Sequence, residues 1–356
     1  MAVTAFYDDD RPAPLHTHEG LTRYCSEKRT APVELTRAEY DALTPARRKE
    51  HNRCRLLHLS GGIFVSTKAA VRAKASVRRL MSENLGRNSG HTGLMISGDS
   101  TLGKTTIAKE LLKYVFRTYG KQFPDFAKHG RIPAVYIEVP AGCTGKLLMI
   151  AFAEFFELGV ARNETADSIR RRVVKALNAA RTQLIIVDEL HNLTASNRGN
   201  GESIDILKSL HNQVAATFVY SGINLQTNAL LSGDRGQQLS ARFTRFDMPR
   251  FNLSDPDQVH EWRGIVNAFD TALPLMEHEK GSLLKLSTYL HQRTGGSIGS
   301  LGRLITSAAL ELIINPDGRP ETITKELLDD QRIDETAETS YAKRINSAKS
   351  KAKTAA

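Results

Sequence analysis

The sequence predicts an α/β protein: a parallel sheet covered by helices, followed by a small helical lid domain. Three observations predict it. Short apolar runs alternate with helix-period segments between residues 94 and 220. Those runs show little polar alternation, as expected of strands buried on both faces. After about Arg250 strand-like runs stop, and helical periodicity alone continues.

Residues 1–20, rich in Asp, Pro and His, are expected to be loose. Val71–Leu85 reads as a basic helix and Leu94–Ser97 as a short strand. Lys104–Tyr119 has helical spacing, with Ile107, Leu111, Leu112, Val115 and Phe116 on one broad face. Ala134–Val139 is a strand, Lys146–Glu157 and Ser168–Arg181 are helices, and Leu184–Val187 is a buried strand. Ile204–Ala215 is helical and Ala216–Tyr220 is a further strand. Pro256–Asp270, His278–Arg293, Ile298–Ile314 and Thr324–Arg332 read as the helices of the second domain. Gly295-Gly296 separates the second from the third, and Pro316-Asp317-Gly318 ends the third. After Ile345 large apolar residues almost vanish, so a basic disordered tail is expected.

The 356 residues exceed the ~250–300 that one core usually serves. Hydrophobic residues are 40% and charged residues 25%, which excludes collagen-like and fully disordered classes. The apolar runs are far shorter than the ~20 residues of a membrane span, and the N-terminus lacks a secretory pattern. Cys25, Cys54 and Cys143 are widely spaced, with no CxxC pair, so a reduced, cytoplasmic protein is expected. The net charge of +10 suits a polyanionic partner. Between Asp41 and Gly90, eleven Lys and Arg face three acids.

Gly98-Asp99-Ser100-Thr101-Leu102-Gly103-Lys104-Thr105 fits GxxxxGK[ST] between a predicted strand and a predicted helix. The glycines let main-chain N–H groups turn toward phosphate oxygens, and the helix start adds its dipole. Lys104 would reach the β- and γ-phosphates of ATP, Thr105 would bind Mg²⁺, and Thr106 completes the cradle. Downstream, four apolar residues run into Asp188-Glu189. Asp188 can hold the magnesium water shell, and Glu189 can orient and activate the attacking water. His191 can sense nucleotide or cap the following helix; a plain polar loop histidine is the alternative.

These features resemble the AAA+ P-loop ATPases. The phosphate loop, the DE pair, a strand with a polar end (Phe218-Val219-Tyr220-Ser221-Gly222-Ile223-Asn224), Ser240-Ala241-Arg242-Phe243 and a helical lid follow that order. More narrowly, the chain resembles the TniB/TnsC branch, the Mu B-like ATPases that accompany DDE transposases. Val135–Pro140, Asp188–Leu193, Gln238–Phe243 and Gly295–Leu301 carry that resemblance. That resemblance covers roughly residues 60–330, and with the composition of the ends it divides the chain into 1–55 as a flexible basic segment, 56–252 as the nucleotide-binding domain, 253–335 as the lid and 336–356 as the tail. It implies Ser221 or Asn224 as the polar sensor, and Arg242 as an arginine finger toward a neighbouring subunit, with Arg245 and Arg235 as rivals. Arg303 is the matching lid sensor, although Gly299 stands where the common pattern has an arginine.

The implied function is an ATP-dependent ATPase that binds double-stranded DNA without sequence preference. It would form a homo-oligomeric ring or filament, recruit a DDE transposase, and dissolve on hydrolysis, in the bacterial cytosol or nucleoid. A signalling or defence switch that oligomerises on a protein cue, and a helicase-loader or clamp-loader-like remodeller, are the alternatives. Lys146 and Arg170–Arg172 are candidate DNA contacts, and so are the basic stretch 47–79 and the tail.

Overall fold

Five short strands form a single parallel sheet in the computed structural model, which describes residues 11–28, 30–193, 200–227, 231, 233–315 and 318–354. Of residues 200–202, 233–235 and 345–354 it describes the backbone alone. The chain divides into two compact units. One comprises residues 12–27 and 69–249; the other is built from the described residues of 28–68 and from 250 onward.

Ahead of the sheet lie α1 (His18–Ser26), α2 (Arg37–Asp41), α3 (Pro45–Ser60) and α4 (Lys68–Asn84). The sheet unit then runs β1 (Gly93–Ser97), α5 (Lys104–Gln122), β2 (Ala134–Glu138), α6 (Gly145–Phe155), α7 (Ala166–Ala179) and β3 (Leu184–Asp188). It continues with α8 (Asn200–Gln213), β4 (Thr217–Gly222), α9 (Gly233–Ser240) and β5 (Phe243–Asp247). The strand order is β2-β3-β4-β1-β5, all parallel. All residues of β1, β3 and β4 are buried, which is why these strands read as unbroken apolar runs.

The edge strand β5 was not expected. Phe243 and Phe246 are buried while Arg245 and Asp247 are exposed, so the segment carries too few apolar residues to read as a strand. Helix α9 also went unmarked, and the side chain of the rival Arg235 lies outside the described residues.

The first residues after 11 are ordered, contrary to the expected loose start. Thr17 caps α1 by accepting from the Gly20 N–H at 3.1 Å. Leu21 and Cys25 are buried in the core of the sheet unit, and Arg117 donates to the carbonyls of Cys25 and Glu27. Fully burying a leucine is worth about 1.5–3 kcal/mol, one contribution among these to holding the short capped helix in place.

The helical unit holds α10 (Pro256–Thr271), α11 (Ser287–Thr294), α12 (Ile298–Ile314), α13 (Lys325–Asp330) and α14 (Glu335–Thr354). Its core includes Trp262, Ile265, Leu290, Leu301 and Leu304, with Leu59 of α3 among them. The expected helix over His278–Arg293 begins later, because a 3₁₀ turn occupies Ser282–Leu286. Gly295 and Gly296 break the chain as expected, both at positive φ. Pro316 and Asp317 lie outside the described residues.

Two expected boundaries shift. Residues 30–55 are not a free segment: buried Arg55 pairs with buried Glu321 and donates to the Pro274 carbonyl at 2.7 Å. The expected disordered tail is helical as α14. Buried Arg293 anchors it through Glu338 at 2.7 Å and lies over the Tyr341 ring. Among the described residues no single helix is long and apolar enough to cross a membrane.

His211, fully buried on α8, stacks on Phe218 at 4.2 Å between ring centroids and lies beside Phe243. Among the described residues neither ring nitrogen has a partner. Burial, helped by the Arg242 and His91 charges, pulls its pKa down to about 3 from 6.5. The unfolded chain therefore takes up this proton first as pH falls. Stability is complete above pH 6.5 and declines toward the folded value by at most about 1.4 kcal/mol per pH unit. Thermal unfolding compared at about pH 7 and about pH 5 is expected to show that loss in the wild type. It should be smaller in His211→Phe, and an equal loss in both would assign the effect to other groups.

Candidate nucleotide-binding site

The strand order places the C-terminal ends of β3, β4 and β1 side by side, the usual ligand edge of a parallel sheet. β1 leads into the Gly98–Thr105 loop, and α5 starts at Lys104. Gly103 precedes that helix at φ 87°, a left-handed turn that glycine adopts without cost; Thr101 is also left-handed, at φ 63°. The loop thus curls back on itself before the helix begins. Leu102 anchors it in the core, whereas Asp99, Ser100, Thr101 and Thr106 are exposed.

Lys104 is buried, yet its Nζ donates to the loop carbonyls of Gly98 at 3.0 Å and Asp99 at 2.6 Å. Burial draws its pKa below the ordinary lysine range, opposed by the Glu189, Asp188 and Asp99 charges. An ammonium held in this way suits an anionic ligand, which would restore the charge balance that burial disturbs.

Asp188 ends β3, where Thr105 Oγ1 donates to its Oδ2 at 2.8 Å. The two residues expected to hold magnesium are therefore already in contact. Among the described residues no cluster of three His, Cys, Asp or Glu side chains could hold a metal. A hydroxyl and a carboxylate suit magnesium, which keeps most of its water shell. The Glu189 N–H donates to Asp188 Oδ1 at 3.0 Å. Glu189 itself adopts a left-handed conformation, φ 55°, and is half-buried. Burial, then the Asp188 charge, raises its carboxyl above the ordinary glutamate range.

His191 lies in a 3₁₀ turn with Nδ1 3.1 Å from Glu189 Oε2 and 3.3 Å from the Ile223 N–H. One ring nitrogen serves one of these partners at a time, as donor to the carboxylate or acceptor from the amide. Gly222 makes the approach possible: a Cβ there would lie 3.2 Å from that nitrogen and 2.8 Å from Leu225.

Ser221, at the buried end of β4, pairs with Ile96 of β1, and its hydroxyl has no partner among the described residues. Asn224 is exposed, at φ 46°, beyond Gly222. Arg242 lies at the opposite edge of the sheet, where its carbonyl accepts from Gly93 N–H at 3.0 Å. The length of β1, about 16 Å at ~3.3 Å per residue, separates that point from the phosphate loop. The Arg242 guanidinium donates to Asn212 at 2.6 Å. Arg245 is exposed on β5, and Arg303 is exposed on α12 of the helical unit.

Arg170 is tied to Asp167, Ser209 and Gln213, Arg171 to Asp167, and Arg172 to Glu164. These three arginines are committed locally, while Lys146 stands half-buried in the first turn of α6. The sequence reading missed Tyr136. Its buried hydroxyl donates to Asp188 Oδ2 at 2.9 Å. Burial, and the Asp188 charge beside it, push that phenol well above its ordinary range. A tyrosine inside an apolar strand signals that its hydroxyl needs a partner, but strand adjacency is required to find it.

A family model described as bacterial TniB protein matches residues 55–253, more than half of the chain. The Aeropyrum pernix ORC2 protein in ADPNP–ADP complexes is similar in structure. Its TM-score is 0.55 at 18% identity, over 86% of this chain and 70% of that one. The A. pernix ORC1 protein in complex with DNA gives 0.54 at 15% identity, over 74% of this chain and 64% of that one. No curated protein matches the sequence. The fold is that of the AAA+ P-loop ATPases, as the motifs implied.

Replacing Lys104 by Ala is expected to weaken nucleotide binding by at least roughly tenfold, the effect of one charge-assisted hydrogen bond. Equilibrium binding of a fluorescent ATP analogue measures it, and undiminished affinity would remove the loop from the site.

Proposed function

The chain belongs to the bacterial TniB family, and on that premise we propose that it is an ATPase that assembles on duplex DNA and recruits a DDE transposase. Binding would be independent of base sequence, and hydrolysis would dissolve the assembly.

One observation carries the reading: the Lys104 loop, Thr105, Asp188 and Glu189 meet at one edge of the sheet, whereas Arg242 lies at the other. The first group can bind a nucleotide and activate water. In this reading the loop amides and Lys104 hold the phosphates. Thr105 and Asp188 would hold magnesium, which when bound neutralises phosphate charge. Glu189 orients a water and accepts its proton, and Ser221 or Asn224 senses the γ-phosphate side. Arg242, too far to serve its own nucleotide, would complete the site of a neighbour. An arginine fits this role because its planar fork spreads over the transferring phosphate oxygens.

A finger given in trans makes hydrolysis depend on head-to-tail contact between subunits. Such contacts close into a ring or continue as a helix. The net charge of +10 supports a polyanionic track, and the similar ORC1 protein is in complex with DNA. Phosphate contacts of this kind weaken steeply with salt.

Glu189→Gln is expected to bind ATP but to hydrolyse it roughly 10²–10⁴-fold more slowly. Electron microscopy with a random-sequence duplex should then show persistent ordered assemblies in ATP and none in ADP. Assemblies that form with ATP but ignore DNA would overturn the DNA reading. Arg242→Ala should keep nucleotide affinity and lose turnover by roughly 10³–10⁵-fold. Specific activity measured against protein concentration tests it; normal turnover at every concentration would place the finger elsewhere.

A further inference from the structure

We propose that Tyr136 is a positioning residue of the magnesium site: its hydroxyl fixes the Asp188 carboxylate and thereby sets how strongly nucleotide binding depends on magnesium. The inference rests on the nucleotide-site reading above and names a residue that the motifs do not contain.

Tyr136 is the third residue of β2, in register with Ile186 of β3. It is 3% exposed, and a rigid strand carries its hydroxyl along the sheet face toward Asp188, two residues beyond Ile186. Three donors converge on Asp188. Tyr136 O–H and Thr105 O–H reach Oδ2 at 2.9 and 2.8 Å, and the Glu189 N–H reaches Oδ1 at 3.0 Å. A carboxylate turns freely about its Cβ–Cγ bond unless its oxygens are held. Thr105 sits in the first turn after the phosphate loop, so its contact is open to rearrangement when a ligand binds. The Glu189 amide belongs to the next residue, in a left-handed turn. Of the three, Tyr136 alone is built into a strand, and it holds Oδ2 whatever the loop does.

The Thr105 contact leaves that hydroxyl's lone pairs free for a cation, because its proton points at Asp188. The Tyr136 contact does the same work from the other side, by keeping Oδ2 where Thr105 can find it. Partners of this kind orient metal-binding groups, and losing one typically weakens metal affinity by ~10–100-fold.

A second buried tyrosine provides the comparison. Tyr220 of β4 is fully buried, and its hydroxyl has no partner among the described residues. Tyr220→Phe therefore removes a core hydroxyl without touching Asp188.

The test uses the full chain and a fluorescent ADP analogue, titrated with magnesium chloride and, separately, in excess chelator. Wild type and Tyr220→Phe should share one half-saturating magnesium concentration. Tyr136→Phe should need about tenfold more, with unchanged affinity in chelator. In an Asp188→Asn background, adding Tyr136→Phe should cause no further shift, since the effect runs through that carboxylate. Superimposable magnesium curves for Tyr136→Phe and wild type would overturn the proposal. So would an equal loss of affinity with and without magnesium, which marks a packing defect. Nucleotide binding by wild type that ignores magnesium would instead overturn the reading on which the proposal rests.

Discussion

A single hydrogen bond, from Thr105 to Asp188, joins residues 83 positions apart and fixes the relation between the two halves of the site. One partner belongs to the helix that follows β1, the other to the last position of β3. These strands are not neighbours; β4 lies between them. The bond therefore exists only if all three strands are parallel and in register, with their ends level. The registers of β1 with β4 and of β3 with β4 supply that alignment. Even one slipped residue in either pairing would turn every side chain of a strand to its other face.

The two edges of the sheet carry different chemistry. At the C-terminal edge, several polar groups satisfy one another: Lys104 on loop carbonyls, Thr105 and Tyr136 on Asp188. At the N-terminal edge lie Arg242, its partner Asn212 and the aromatic packing around His211. Nothing in elementary physics requires a site to be divided like this within one subunit. Under the function proposed above, the division would have a purpose once two copies stack, because each would bring the other a charge that its own nucleotide edge lacks. Parallel strands make it economical: five residues of β1 span the whole distance.

Much of this was legible in the sequence. Four apolar runs became four strands because burial on both faces removes polar alternation. The phosphate loop and the DE pair were legible because their chemistry fixes spacing along the chain. Helix α12 begins and ends where its periodicity does, after two glycines in left-handed turns. What escaped depends on contacts distant in sequence. β5 is a five-residue edge strand whose two buried residues, Phe243 and Phe246, are three apart and face opposite sides of the sheet, so no apolar run or period-2 alternation marks it. α1 is held by burial against the sheet unit, and α14 by Arg293. Composition could not reveal that Arg55 would find Glu321, nor that Tyr136 would stand beside Asp188. The arginines 170–172 are a different case: their acids, Asp167 and Glu164, lie close in sequence, and helical spacing alone would have paired two of the three with Asp167.

The buried pair of Arg55 and Glu321 spans 266 residues, and the whole sheet unit from Ala69 is made between them. During synthesis at ~5–20 residues per second, α3 waits roughly 13–53 s for its partner. Through that interval Leu59 has no core to enter, and Arg55 has no carboxylate. The sheet unit, whose segments emerge in close succession, can fold meanwhile. The sheet unit can thus be complete while the helical unit still waits for the distant end of the chain.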